Sequence, residues 1–115
     1  MRYYIERPAT WSPANQKCKL LQQFVDNYSN CLIADDSSRD ALVEEIRHRV
    51  ELLNEKYPRT KKLVVSYRDN YVSCYPEGSL YGLCGDQHVF AFHIHPVRRT
   101  YRFSEQAFLL TEGAE

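Results

Sequence analysis

Residues 63–75 read LVVSYRDNYVSCY, and this stretch decides the fold class of the chain. Its β-branched and aromatic residues alternate with other residues at a period of two, which is typical of half-buried strands. Asp69 and Asn70 interrupt the pattern, and both residue types tolerate the positive φ angles of a two-residue hairpin turn. The stretch therefore predicts two antiparallel strands, 63–68 and 71–75, joined by a tight turn.

Further strands are predicted after the hairpin. A glycine-rich loop, PEGSLYGLCGD, occupies residues 76–86 and leads to a second alternating segment at 88–95. Pro96 is expected to end that strand, because proline has no amide N–H to donate to a sheet. We expect one more strand over 97–103 and a short final helix over 104–110.

Two helices are predicted before the hairpin. Ser12 and Pro13 are both favoured at helix starts, and apolar residues at helical spacing follow them, so a helix is expected over 13–27. A second amphipathic pattern begins near Ser38 and ends at Tyr57, because the proline after it disfavours helical geometry. This second helix has the more regular apolar stripe.

Short strands complete the expected sheet. Residues 1–5 alternate like a strand, and residues 31–34 form either a short buried strand or a packed connection. The resulting order of elements is typical of helices that cover one side of an antiparallel sheet. We therefore expect an α+β fold in which two helices pack on one face of a mainly antiparallel sheet of about four to six strands.

The composition is that of one small globular domain. The chain has 115 residues, of which 43% are hydrophobic and 13% aromatic, and this is enough for one core but not for two. We expect a single compact domain, 1–115. Fifteen Lys and Arg residues balance fifteen Asp and Glu residues, so no net charge directs the protein to nucleic acid or to an anionic membrane.

The sequence carries no recognisable signal for export or membrane insertion. The N-terminal residues lack the pattern of a signal peptide, and no run approaches the roughly 18 apolar residues of a membrane span. The four cysteines are widely spaced and form no CxxC pair, which predicts free thiols rather than disulfides. We therefore expect a soluble, cytoplasmic protein without a membrane partner.

One face of the expected sheet combines tyrosine, arginine and histidine. Because side chains alternate across a strand, the apolar residues of each strand face the helices and their neighbours face away. Tyrosine offers stacking surface, arginine offers planar donors for phosphate or carboxylate, and both are enriched in protein interfaces. The candidate binding residues are Arg68, Tyr71, Tyr75, His93, His95, Arg98 and Arg102. An ordinary solvated sheet face is the simpler alternative.

His93 and His95 are the strongest candidates for chemistry. Two residues apart on a strand, they face the same side at about 6 to 7 Å between Cα atoms, near enough to share a metal ion or a phosphate. A zinc site would need another ligand, for which Cys84, Asp86 and His88 are candidates, but their spacing matches no standard zinc pattern. We therefore expect no cofactor, with zinc as the alternative. Cys84 is also a candidate nucleophile, as a thiol in a glycine-rich loop.

Residues 86–99, DQHVFAFHIHPVRR, are similar to motifs of two hydrolase families. They resemble the strand of the histidine-triad nucleotide hydrolases through Gln87 and the two histidines, although Ala91 stands where that family has its first histidine. HIHP followed by Ser104 resembles the JAMM-type metalloproteases, although Ala107 replaces their aspartate ligand. Two-histidine phosphoesterases need two His-x-Thr/Ser motifs, which this chain lacks. The similarities imply a hydrolase that uses the two histidines, but they are too short to assign a family.

The sequence thus favours a non-enzymatic function. We predict a small binding or regulatory protein, an accessory factor of the kind that phages and mobile elements encode. It would contact a protein partner through the Tyr, Arg and His face and the glycine-rich loop. The first alternative is a binder of nucleic acid or nucleotide phosphate through the arginines and tyrosines of the same face. The second is a metal-dependent or nucleotide-ester hydrolase that uses His93 and His95.

Overall fold

The computed structural model of the protein describes residues 1–78 and 88–97. Within these ranges the chain forms two helices and six strands, and every strand pairing among them is antiparallel. The elements are β1 (Arg2–Ile5), β2 (Ala9–Thr10), α1 (Gln16–Asp26), β3 (Leu32–Ile33), α2 (Asp36–Lys56), β4 (Leu63–Arg68), β5 (Tyr71–Pro76) and β6 (Phe90–Val97). The predicted α+β class, with helices packed on a mainly antiparallel sheet, is confirmed.

Strand β6 connects the two halves of the sheet. The strand order is β3-β1-β6-β5-β4, and β2 also pairs with β6. Ile5 of β1 lies opposite Ile94, and Ala9 of β2 lies opposite Ala91, so one edge of β6 is shared by two successive short strands. The hairpin of β4 and β5 pairs with the other edge. The N-terminal segment therefore lies directly beside the strand that carries both histidines.

The hairpin forms as its sequence predicts. Arg68 lies opposite Tyr71, which leaves Asp69 and Asn70 as the two-residue turn, with φ angles of 53° and 61°. Positive φ at both positions is the geometry of a type I′ turn, which matches the twist of the flanking strands. The backbone carbonyl of Asn70 also accepts a 2.8 Å hydrogen bond from the amide of Ile94, so the turn is bonded to β6.

The helix starts are set by side-chain caps, and α2 begins at Asp36, two residues before the expected start near Ser38. Asn15, not Ser12, caps α1, and its side-chain oxygen accepts a 3.0 Å hydrogen bond from the amide of Cys18. The expected start at residue 13 is therefore too early, because the first amides of the helix find their acceptor at Asn15. In α2 the side chain of Asp35 accepts from the amide of Ser38 at 2.7 Å.

The core lies between the helices and the apolar face of the sheet. Each helix contributes fully buried side chains, such as Leu21 and Ile46, and the sheet contributes Val72, Phe90 and Phe92. Their alternation along β5 and β6 confirms which face was expected to meet the helices. Burying such a side chain stabilises the fold by roughly 1.5–3 kcal/mol relative to leaving it exposed.

Pro96 does not end the third long strand as expected. It lies inside β6 and pairs with Tyr3 of β1. The amide of Ile94 points to the β5 side, where it bonds to Asn70, so by alternation the nitrogen of Pro96 points the same way. The pairing of β5 with β6 ends at Tyr71 and His93. Proline is therefore tolerated here, because no strand among residues 1–78 and 88–97 requires its missing donor.

One of the two shortest strands was expected from the sequence and the other was not. Of the two alternatives for residues 31–34, the strand is correct, since Leu32–Ile33 pairs with β1. Strand β2 was not expected, because two residues are too few to show a periodic pattern. The expected helix over 104–110, the expected strand beyond residue 97 and most of the glycine-rich loop lie outside the described residues. Neither α1 nor α2 is long and apolar enough to cross a membrane.

Candidate functional site

Several predicted binding residues meet on the reverse face, which is the sheet face directed away from the helices. Arg68 of β4 lies opposite Tyr71 of β5, and Tyr71 lies opposite His93 of β6. These residues form one row across three strands, because paired residues of adjacent strands share a face. His95 follows on β6, opposite Tyr4 of β1. The structure therefore places four of the seven predicted residues, Arg68, Tyr71, His93 and His95, in adjacent positions.

Tyr75 belongs to a different part of the same face. Its ring centroid lies 5.7 Å from that of His88, which in turn lies 5.5 Å from the ring of Trp11. Ser73 separates Tyr75 from Tyr71 along β5. The remaining candidates, Cys84, Asp86, Arg98 and Arg102, lie outside the described residues. The row from Arg68 to His95 is therefore the part of the predicted site that can be described.

Glu6 is the site residue that the sequence did not reveal. Its Oε1 lies 2.8 Å from Nε2 of His95, and its Oε2 lies 3.3 Å from Nδ1 of His93. Oε2 also accepts a 3.1 Å hydrogen bond from the backbone amide of His93. One carboxylate therefore holds both imidazoles, and we call Glu6, His93 and His95 the Glu6 cluster. No local pattern marks Glu6, because its role depends on the pairing of β1 with β6.

The rings of this part of the face are in mutual contact. The centroids of His93 and His95 lie 5.6 Å apart with 28° between their planes, a stacked arrangement. Tyr71 packs against His93 at 4.5 Å and 46°. Because Glu6 holds the histidines and Tyr71 packs on one of them, contacts within the chain itself constrain the positions of the rings. Pre-organisation of this kind lowers the entropy cost of binding.

The cluster combines a fixed negative charge with accessible imidazoles. Partial burial of Glu6 alone would raise the pKa of its carboxyl group, but hydrogen bonds from His95 and from the amide and ring of His93 outweigh this, and the pKa is lowered. Glu6 is therefore a carboxylate at neutral pH. The side chains of His93 and His95 are 51% and 50% exposed, so both rings are accessible to solvent.

The chemical use of the two histidines is limited by Glu6. The carboxylate engages Nδ1 of His93 and Nε2 of His95, which leaves Nε2 of His93 and Nδ1 of His95 as the ring atoms it does not engage. Among residues 1–78 and 88–97, no group of three or more His, Cys, Asp or Glu side chains has an arrangement that could hold a metal ion. Gln87 and Ser104, which carry part of the hydrolase similarities, lie outside these ranges, and so does Ala107, where the chain departs from the JAMM-type motif.

The reverse face is not uniformly open. Ser73 and Ala91, which lie opposite each other on β5 and β6, are buried although their side chains point away from the helices. The hydroxyl of Ser73 has no hydrogen-bond partner within the described part of the chain. The reverse face is therefore closed to solvent at this pair of residues.

Comparisons with protein-family models, with curated proteins and with solved structures find no match to this chain. The geometry of the site is therefore the basis for inferring its function.

Proposed function

We propose that this chain is a small cytoplasmic accessory protein that regulates a protein partner by binding it through the reverse face. The contact surface centres on the row of Arg68, Tyr71 and His93 together with His95. The glycine-rich loop at residues 76–86 adds to this surface in the proposal, and Tyr75 lies at its border. The protein acts by occupancy and needs no cofactor.

The exposed, pre-organised aromatic row is the observation that carries this proposal. His93 and His95 are half exposed on a strand whose other side is part of the core, and they are held by contacts to Glu6 and Tyr71. Tyrosine and arginine are the residue types most enriched at the energetic centres of interfaces. A surface that is ordered before binding loses little side-chain entropy when a partner covers it.

The charge balance of the face favours a protein over a phosphate. In the described row Arg68 contributes a positive charge, but the carboxylate of Glu6 lies between the two imidazoles that a phosphate would approach. A phosphate binder would gain from an excess of positive charge at that place. A protein surface, which presents both donors and acceptors, suits the mixed charges better.

The proposal is tested by affinity capture from cells of the native host. The baits are the wild-type chain and a double variant, Arg68→Ala with His95→Ala, which removes two exposed side chains from the row. Quantitative mass spectrometry should find at least one protein that the wild type retains and the variant loses. With the purified partner, the double variant should bind about tenfold more weakly or worse, as expected for the loss of interface anchor residues.

A control variant on the opposite side of the molecule identifies the working face. Glu44→Ala with Glu55→Ala removes two exposed side chains from the outer surface of α2, and this bait should retain the partner. Capture that survives the reverse-face double variant would contradict the proposal. Capture that disappears after nuclease treatment, or that weakens steeply with salt, would instead support the nucleic-acid alternative.

A further inference from the structure

A second site lies at the N-terminal end of α1, away from the row of Arg68 and Tyr71. A cavity of about 400 Å³ opens between the start of this helix, the strand ends at Leu63 and Pro76, and Val89 just before β6. This volume is within the range of small-molecule sites, which measure about 300–1,000 Å³. Asn15 and Cys18 form the helix side of the cavity. Its size and its position between elements are those of a ligand site.

The wall of the cavity is held in place by partly buried hydrogen bonds. Gln22, which lines the cavity, donates from Nε2 to the carbonyl of Trp11 at 2.6 Å and to the carbonyl of Val89 at 2.9 Å. Lys17 is 1% exposed, and its Nζ donates to the carbonyl of Lys61 at 2.7 Å. These bonds fix the backbone on both sides of the opening. The cavity is therefore formed in advance and does not require a ligand to shape it.

The lining has a positive character. Lys61 and His88 are its ionisable basic residues, and no Asp or Glu is among the described residues that line it. The first turn of α1 also contains no acidic side chain, so the positive end of the helix dipole is not offset by one. A negatively charged group is therefore the ligand chemistry that this lining favours.

We propose that this cavity binds a small organic anion. Its carboxylate or phosphate group would meet Lys61 and His88, and its apolar body would pack against Leu63, Pro76 and Val89. The charged group supplies charge-assisted hydrogen bonds, while the apolar body fills the volume between the helix and the strand ends. This site does not depend on the Glu6 cluster, so its failure would leave the proposed partner surface unaffected.

The test uses the full chain, labelled with ¹⁵N, and three ligand probes of similar size. Benzoate and phenyl phosphate carry the two kinds of anionic group, and benzyl alcohol is the neutral comparison. At least one of the two anions should shift the amide signals of the residues around the cavity, and the shifts should reach a plateau as the anion concentration rises. These residues are 14–18, 61–63 and 88–89. Benzyl alcohol should bind about tenfold more weakly than the better anion, which corresponds to the loss of a charge-assisted contact. The tighter anion shows whether the natural ligand is a carboxylate or a phosphate.

Two neighbouring lysines provide a matched pair of variants. Lys61→Ala should weaken the better anion about tenfold, because it removes a charged donor from the lining. Lys62→Ala should leave the affinity for the anion unchanged, because Lys62 does not line the cavity. Its Nζ instead lies 3.9 Å from Oε2 of Glu77. Ala14→Leu, at an exposed position that lines the cavity, should obstruct it and abolish binding of both anions without unfolding the chain. Circular dichroism confirms the fold of each variant.

Several outcomes would overturn the proposal. One is a set of signal shifts that does not saturate or that lies away from the cavity. Equal affinity for benzyl alcohol and the anions would show that the charge of the ligand does not matter. If Lys61→Ala and Lys62→Ala weakened anion binding equally, the anion would be responding to the general charge of the protein and not to Lys61 in the cavity. Full binding by a folded Ala14→Leu variant would place the ligand elsewhere.

Discussion

Glu6 decides the arrangement of the candidate site more than any other residue. Its carboxylate reaches both His93 and His95, and its own backbone amide donates a 3.3 Å hydrogen bond to the carbonyl of His93. The side chain therefore fixes two rings on β6 from a position just beyond β1. Removing the negative charge tests both the stability and the order of the cluster.

We expect Glu6→Gln to lower the free energy of unfolding slightly at neutral pH, by less than about 1 kcal/mol, because the pair is partly exposed to solvent. The pKa of Glu6 is lowered from its usual 4.5 on folding. A carboxyl group of this kind stabilises the fold fully above its unfolded pKa, and the contribution disappears as the pH falls through the lower folded pKa. Urea denaturation of both proteins between neutral and strongly acidic pH measures this.

The free energy of unfolding should be higher for the wild type than for Glu6→Gln at neutral pH. This difference should become smaller as the pH falls below about 4.5. Glu51→Gln, at an exposed position on α2, is the matched control and should show no such pH-dependent difference. A stability difference between wild type and Glu6→Gln that stays constant down to strongly acidic pH would mean that the charge of Glu6 is not what stabilises the cluster.

At the scale of elements, one side chain joins both helices to the edge of the sheet. The Oδ1 of Asn54 on α2 accepts a 3.0 Å hydrogen bond from the amide of Leu63, and its Nδ2 donates to the carbonyl of Leu63 at 2.9 Å. Asn54 thus takes the place that a neighbouring strand would have at the start of β4. The same Oδ1 accepts from Nζ of the buried Lys17 on α1 at 2.9 Å.

Asn54→Ala should therefore lower the free energy of unfolding by about 2–4 kcal/mol, because it leaves the backbone groups of Leu63 and the buried amine of Lys17 with fewer partners. Chemical denaturation monitored by circular dichroism measures the loss. Glu55→Ala, the adjacent exposed position, should stay within about 0.5 kcal/mol of wild type. A loss below about 1 kcal/mol in the Asn54 variant would show that water replaces these bonds at little cost.

At the scale of the whole molecule, the core extends from the N-terminal strand to the hairpin without interruption. Cys74 on β5 is fully buried in it, and Cys18 of α1 belongs to the same cluster of buried residues. Burial raises the pKa of the Cys74 thiol strongly, because the thiolate would lose its hydration. Since the thiolate is the reactive form, Cys74 reports on opening of the entire fold.

We expect iodoacetamide to modify Cys74 only when the chain unfolds globally. Its rate under native conditions should follow the population of unfolded molecules and rise with added urea in parallel with loss of helical signal. Peptide mass spectrometry resolves the individual cysteines. Cys31, which is partly exposed, is the internal comparison and should react in the folded state. Similar native rates for Cys31 and Cys74 would refute a single cooperative core.

The sequence predicted those parts of the site that depend on neighbours in the chain. Alternation placed His93 and His95 on one face, and the residue types at Asp69 and Asn70 predicted the turn that brings Tyr71 opposite Arg68. The contact between Glu6 and His93 could not be predicted from the sequence, because the two residues are 87 positions apart along the chain. Which strand lies beside β6 is set by packing of the whole sheet rather than by any local pattern.

The sequence by itself thus determined the α+β class, the helix-facing side of the sheet and the positive-φ turn, because periodicity and backbone preference act over a few residues. Only the tertiary structure decided the strand order, the place of Pro96 inside β6 and the link from Asn54 to β4. These features depend on which groups remain unpaired once the chain is packed, and that is a property of contacts between distant segments. The Glu6 cluster and the cavity at α1 are of this second kind.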